Sequence, residues 1–368
     1  MNIRSLGLAF AAAVFLNFAA VAQQPEHGAL LVVTKQSHAL AIVDADTLKV
    51  IAQVPIGEDP HEVVVGPDGR TAYVSNYGEG TLHTLAVVDL IGRKPLPPID
   101  ITPLRGAHGL FVHEGKLWFT AEGSKAVATL DPVTGKVESV LGTGQDKTHL
   151  VWVSRSGWWV IASNAGSGTL SVFGRTLGGL PVMVPGAPAA PASYSVPGWK
   201  HTLIPDGAGA EGFAVSPDER DVWVGAADGT ISVIRFGFDH KRRAGHRARP
   251  DELLLDGVLE PATTIATITP DVVGANRLKF TPDGKLVLIT THTGKDLVVV
   301  DAHTRQVVKR IPIEERGASG IQVQPDGKRA FIACPRDHYV AVVDLERLEM
   351  IAKIDAGREP DGLAWWGR

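Results

Sequence analysis

The chain has almost no sulfur chemistry to offer. Cys334 is the only cysteine among 368 residues. An intrachain disulfide is therefore excluded, and so is the CxxCH segment through which c-type haem is attached. Cys334 ends the apolar run Ala330-Phe331-Ile332-Ala333, so a buried structural thiol is expected there rather than a nucleophile. There is no GxSxG elbow and no HExxH motif, which removes two familiar signatures of serine and zinc hydrolases. An excess of one charge sign is missing as well. The formal net charge of −4 offers no global attraction to nucleic acid or to an anionic membrane. Beyond the first 22 residues no stretch is long, apolar and free of turn residues, so no membrane span is expected after that point.

Those first 22 residues stand apart. Arg4 gives a short positive region, Leu6 to Ala20 is apolar, and Ala20-Val21-Ala22 matches a small-x-small cleavage site. This pattern predicts a secretory signal peptide over residues 1–22, with mature protein starting near Gln23 and a periplasmic or secreted location.

What the chain has in abundance is repetition. A hydrophobic run, a turn and a second hydrophobic run recur behind a small set of polar residues: HEVVVGPDG at His61, HGLFVHEG at His108, HLVWVSRSG at His149, EGFAVSPDE at Glu211, NRLKFTPDG at Asn276 and SGIQVQPDG at Ser319. The phrase starts once more as DGLAWW at Asp361. The spacings are 47, 41, 62, 65, 43 and 42 residues. Repeats of this period made of short strands and Gly-rich turns predict an all-β propeller. In the unit from Asn276, strands are expected over 278–280, 286–290 and 297–301, with an outer strand over 304–311.

The ends complete each other. Asp361 to Trp366 reads as an innermost strand with no successors, whereas residues 31–34, 40–44 and 48–54 read as later strands with no innermost partner. Joined, they give a seventh blade and a closed ring without open edges. Residues 23–368 are thus expected to form one seven-bladed propeller. The two long spacings contain a Pro- and Ala-rich segment at 181–199 and a basic cluster at 240–249, both read as surface loops. Of the adjacent Trp365 and Trp366, one is expected to pack between blades.

One position is shared by all seven units, the residue that opens the innermost strand. Around the ring it is His61, His108, His149, Glu211, Asn276, Ser319 and Asp361. Propeller geometry places it at the mouth of the central channel. His61, His108, His149 and Glu211 have the chemistry of a site for one divalent transition metal, Zn, Fe, Mn or Cu. Glu211, Asn276 and Asp361 offer oxygen ligands better suited to Ca²⁺. Structural polar caps are the third possibility. Arg277, with Arg105, Lys147, Arg316 and Arg358, is expected near the mouth and would attract an anion. His292, after Thr290-Thr291, is a candidate general base, and Asn76, Tyr77, Asn164, His338 and Tyr339 lie in equivalent loops.

Pro67-Asp68-Gly69 followed by Ala72-Tyr73-Val74-Ser75-Asn76 and Leu85-Ala86-Val87-Val88-Asp89, and the matching Pro325 to Asp344 phrases, resemble the bacterial YVTN-type propellers. The resemblance covers about residues 28 to 368. It implies the fold. It also implies a group that includes periplasmic or surface binding proteins, phosphogluconolactonase-type lactonases and electron-transfer subunits of quinone amine dehydrogenases. Gluconolactonase-type propellers hold a divalent metal through Glu, Asn and Asp, which Glu211, Asn276 and Asp361 match in type and repeat position. Those propellers usually have six blades and lack the three histidines. The expected function is a ligand-, metal- or protein-binding module at the channel mouth; the alternative is a metal-dependent hydrolase or lyase of lactonase type. Neither haem nor a nucleotide is expected as cofactor, and the expected partner is a small molecule or a protein at the loop face.

Overall fold

The computed structural model describes residues 28–176, 198–207, 209–236, 262–271, 274–313 and 316–367. These form seven four-stranded antiparallel sheets set around one axis. The N-terminal strands β1 (Ala29–Thr34), β2 (Ala39–Asp44) and β3 (Val50–Pro55) belong to the closing blade. The next two blades are β4 (Pro60–Val65) to β7 (Lys94–Asp100), through β5 (Thr71–Asn76) and β6 (Thr84–Asp89), and β8 (Ala107–His113) to β11 (Lys136–Gly142), through β9 (Lys116–Ala121) and β10 (Ala126–Asp131). The third comprises β12 (Thr148–Val153), β13 (Trp159–Asn164), β14 (Thr169–Thr176) and β15 (Gly198–Pro205). The fourth comprises β16 (Phe213–Val215), β17 (Asp221–Gly225), β18 (Ile231–Arg235) and β19 (Thr263–Ile268). The fifth comprises β20 (Ala275–Phe280), β21 (Leu286–Thr291), β22 (Asp296–Asp301) and β23 (Val307–Pro312). The sixth comprises β24 (Ile321–Val323), β25 (Arg329–Cys334), β26 (Tyr339–Asp344) and β27 (Glu349–Ile354).

The last strand, β28 (Pro360–Trp366), lies against β1, with Ala29 opposite Trp366 and Leu31 opposite Ala364. The seven-bladed ring expected from the repeat is closed by both chain ends. Trp366 is buried against the first blade, where its indole N–H donates to the Gly69 carbonyl at 2.9 Å, while Trp365 stacks on Phe331 of the sixth blade. Both tryptophans therefore pack against neighbouring blades, one on each face of β28.

Each sheet is sandwiched between two others, so its middle strands are covered on both faces. That is why β2 reads Ala-Leu-Ala-Ile-Val without polar alternation and is buried along that length. Outer strands meet water and alternate, as in β11. The Asp that ends five of the seven third strands has a local cause. Asp89 Oδ1 accepts the N–H groups of Ile91 and Gly92, and Asp131, Asp301 and Asp344 repeat the arrangement. This turn occupies residues 302–305, so the outer strand expected from Thr304 begins at Val307. The two long spacings fall between β14 and β15 and between β18 and β19. The signal segment, nearly all of the Pro-rich segment and the basic cluster lie outside the described residues. Among the described residues no helix is long and apolar enough to cross a membrane.

The inner strands are not regular. The β4–β5, β8–β9, β12–β13 and β20–β21 ladders each shift register, between Pro60 and Val63, Ala107 and Leu110, Thr148 and Val151, and Ala275 and Leu278. One extra residue in the inner strand makes a bulge, which turns a side chain out of the ladder. A hydroxyl on the second strand takes up the freed N–H. Thr120 accepts from Gly109 N–H at 2.8 Å and donates to the His149 carbonyl of the next blade at 2.7 Å. Ser163 and Thr290 do the same for Leu150 and Arg277, donating to the Glu211 and Ser319 carbonyls. Each bulge is thereby tied to the inner segment of the next blade. Inner strands also approach closely: a Cβ on Gly362 would lie 2.2 Å from the His61 carbonyl oxygen.

Candidate metal centre at the channel mouth

The bulges set the ring residues at one end of the channel. Here a cavity of about 340 Å³ is lined by His61, His108, His149, Glu211, Asn276, Ser319 and Asp361, together with Arg277 and His292. All seven ring positions and both added candidates line this cavity. The residue two before each ring position has positive φ. It is Gly in four blades, but Asp59, Lys147 and Glu359 hold φ of 40°, 53° and 52° in the others.

The three histidines stand in a row. Ring centroids are 4.6 Å apart for His61 and His108 and 3.8 Å apart for His108 and His149. Tyr77 packs edge-on against His61 and His108. His61 is held at both nitrogens, by Asp59 at 3.2 Å and by Asp361 at 3.3 Å. The His61 hydrogen bond holds the Asp59 carboxyl well below the usual carboxylate range.

His149 Nδ1 lies 2.6 Å from Glu122 Oε1. An ionised carboxylate only accepts, so Nδ1 carries the proton and the lone pair is on Nε2. That Nε2 is buried without a hydrogen-bond partner, and so is Nδ1 of His108. Burial, with the positive neighbours His149, His61 and Arg277, holds the His108 imidazole well below its usual pKa. Two buried, unpartnered imidazole nitrogens would each cost about 1–3 kcal/mol without a ligand. Among the described residues one group of His, Cys, Asp and Glu has three ligand atoms within 4.8 Å of one another: His108, Glu122 and His149. The two imidazole nitrogens fit a borderline divalent ion, and Glu122, bonded to Nδ1, would orient His149 from behind rather than reach an ion on Nε2.

Glu122 was not among the residues nominated from sequence. It sits buried at the start of a single 3-10 turn between β9 and β10, the loop equivalent to that of Tyr77 in the preceding blade. The only sequence signal was that equivalence. Tyr77 donates to Glu122, and burial together with this bond raises the phenol pKa. Glu211 lies elsewhere on the rim, 3.0 Å from His292 Nε2. Burial opposes its charge, but the His292 bond, with His149 and Arg277, brings its carboxyl down to about 2. The oxygen set does not gather as three free ligands. Asn276 donates to the Ala318 carbonyl and accepts from Arg277, and Asp361 faces His61. Among the flanking cations, Lys147 and Arg277 line the cavity with Lys35 and Arg336, whereas Arg316 pairs with Asp337. Of the loop residues, Asn76 and Asn164 are buried and bond neighbouring strand and loop groups, and His338 accepts from Glu359 N–H.

Sequence reasoning also missed Glu62. Its carboxylate meets Arg277 Nη2 across the channel at 2.9 Å, just below the ring. Burial disfavours the guanidinium charge, but Glu62, Asp361 and Glu211 together raise the Arg277 pKa.

With seven four-stranded blades closed into a ring, the chain has the fold of the propeller group its repeats resemble. No protein-family model matches the chain, and no curated protein matches it in sequence. Solved structures share the fold. A protein of unknown function from Desulfotomaculum acetoxidans aligns with a TM-score of 0.68 and 12% identity over 92% of this chain and 98% of that one. A candidate 6-phosphogluconolactonase from Bacteroides fragilis gives a TM-score of 0.65 and 14% identity over 93% and 99%. A hydrazine synthase chain from Kuenenia stuttgartiensis gives 0.60 and 15% over 82% and 88%. At such identities the likeness is one of fold.

Proposed function

We propose that this protein is an exported propeller, periplasmic or secreted, that binds a divalent transition metal at its channel mouth and through it a small ligand or a protein partner. The observation that carries this reading is the pair of buried, unpartnered nitrogens, His108 Nδ1 and His149 Nε2, beside Glu122. The signal-like segment 1–22 supports export. A metal held by His108 and His149 would keep open positions for an anion or a carbonyl oxygen. Lys35, Lys147 and Arg336 around the same cavity would favour an anionic group.

Elemental analysis of protein purified without added metal tests the reading. A stoichiometric transition metal, lost in both His108→Ala and His149→Ala, is the expected result. Metal-free protein that also fails to take up Zn²⁺, Mn²⁺ or Cu²⁺ on titration overturns it.

A second reading is metal-assisted hydrolysis of a lactone or ester. It is favoured by His61, an imidazole fixed by two carboxylates directly beside His108, and by the fold shared with the candidate 6-phosphogluconolactonase. A bound divalent ion would polarise the carbonyl. His61, protonated at both nitrogens against its carboxylates, would give a proton to the leaving oxygen, and Lys147 or Arg336 would hold the anionic part of the substrate. Turnover of simple lactones by metal-loaded protein, abolished by His61→Ala with metal still bound, would favour this reading over binding alone.

A further inference from the structure

The channel has a second chamber. A cavity of about 710 Å³ lies at the opposite end from the histidines, and its lining includes Pro217, Thr281 and Pro282 at the far ends of the inner strands. The Glu62–Arg277 pair stands between the two chambers, with Arg277 touching both. A ligand in one is therefore separated from the other by a charged bar.

The walls of this chamber are largely apolar. Val64, Phe111, Trp152, Ala214 and Ala364 come from the third residue after each ring position, the same face of the inner strand as Glu62 and Arg277. At that position in the fifth blade stands Lys279. Glu62, Arg277 and Lys279 are the only ionisable side chains in the lining. Glu62 and Arg277 neutralise each other, and Arg277 is further committed to Asn276 at 2.7 Å. The Lys279 ammonium is exposed to the lumen and has no hydrogen-bonded or ion-paired partner among the described residues. Enclosure by the walls lowers its pKa, with Glu62 acting in the opposite direction. This lumen-facing positive charge is the one in the chamber left free to meet an entering anion. The chamber volume is within the ordinary range of small-molecule sites, and few polar groups fix orientation there, as in such sites generally.

We infer that this chamber is a second, metal-independent site for an amphipathic monoanion, a medium-chain carboxylate. Its head group pairs with Lys279 and its chain lies along Val64, Phe111 and Trp152. One uncommitted cation matches one negative charge. A phosphate dianion would need further donors, and the neighbouring guanidinium is already engaged. The apolar lining accounts for the tail, since each buried methylene contributes about 0.8 kcal/mol.

Calorimetric titration of the whole metal-free protein with octanoate tests the inference. Saturable binding is expected, at least tenfold weaker for octanol, which has the same chain without the charge. Lys279→Met should weaken octanoate binding at least tenfold, and Lys279→Arg should retain it. Thermal melts of both variants establish that they fold. The double variant His108→Ala/His149→Ala should bind octanoate like the parent, which separates this chamber from the metal site. Absent binding, equal affinity for octanol, or unchanged affinity in folded Lys279→Met would overturn the proposal; so would binding lost in the double-histidine variant.

Discussion

Glu62 on β4 and Arg277 on β20 lie 215 residues apart in sequence and meet across the central channel at 2.9 Å. The two side chains are 18% and 11% exposed, so each charge depends on the other for its solvation. Removing one partner strands the remaining charge. Glu62→Ala is predicted to lower stability by about 2–4 kcal/mol, and Arg277→Ala by a similar amount. The double replacement Glu62→Leu/Arg277→Met should recover most of the loss. Urea denaturation of the four proteins checks this. Single variants as stable as the parent would show that the pair contributes nothing.

The hydroxyl that joins neighbouring bulges gives a second test. Thr120 satisfies both the Gly109 N–H and the His149 carbonyl, and all three groups are buried. Thr120→Val keeps the shape and leaves both backbone groups unpaired, at a predicted cost of about 1–3 kcal/mol. Thr120→Ser should remain near the parent in the same denaturation experiment.

Asp206 gives stability a pH dependence. Its carboxylate oxygens are buried without partners, and burial raises its pKa from 3.8 to about 7. The folded state keeps a proton that the unfolded carboxyl has already released. Between about pH 4 and pH 7 the unfolded state binds fewer protons, so stability falls as pH rises; above that window the loss is complete. Three pKa units set an upper bound of about 4 kcal/mol. Asp206→Asn should melt higher than the parent at pH 8, with the difference shrinking toward pH 4. A difference that does not change with pH would contradict this.

Inner strands of neighbouring blades approach closely at the glycine after the ring residue, at Gly109, Gly212, Gly320 and Gly362. A Cβ at position 362 would meet the His61 carbonyl oxygen at 2.2 Å, whereas one at Gly142 would meet nothing within 4 Å. Gly362→Ala is predicted to destabilise by about 2 kcal/mol or more, while Gly142→Ala should be tolerated. Differential scanning calorimetry of both variants distinguishes them.

The fold was legible because its causes are local. The Pro-Asp-Gly turns, the Asp that closes most third strands and the unbroken Val, Leu and Ile runs each act within a few residues. The shared position of His61, His108 and His149 followed from repeat phase. Their partners did not. Glu122 answers His149 from another blade, across 27 residues, and Glu62 answers Arg277 across the ring. Nothing in the spacing of single residues tells which of several rim carboxylates faces which histidine. Glu211 was paired with the histidines on sequence grounds, yet its hydrogen-bonded partner is His292. The bulges that aim these side chains are invisible as well, because their signature is one hydroxyl on the neighbouring strand.

Anomalous diffraction from crystals of metal-loaded protein, collected on both sides of the metal's absorption edge, tests the central claim most directly. A single difference peak within bonding distance of His108 Nδ1 and His149 Nε2, with Glu122 still on His149 Nδ1, is the predicted result. A peak on Glu211 and His292, or none at the channel mouth in protein that has taken up metal, would contradict the account.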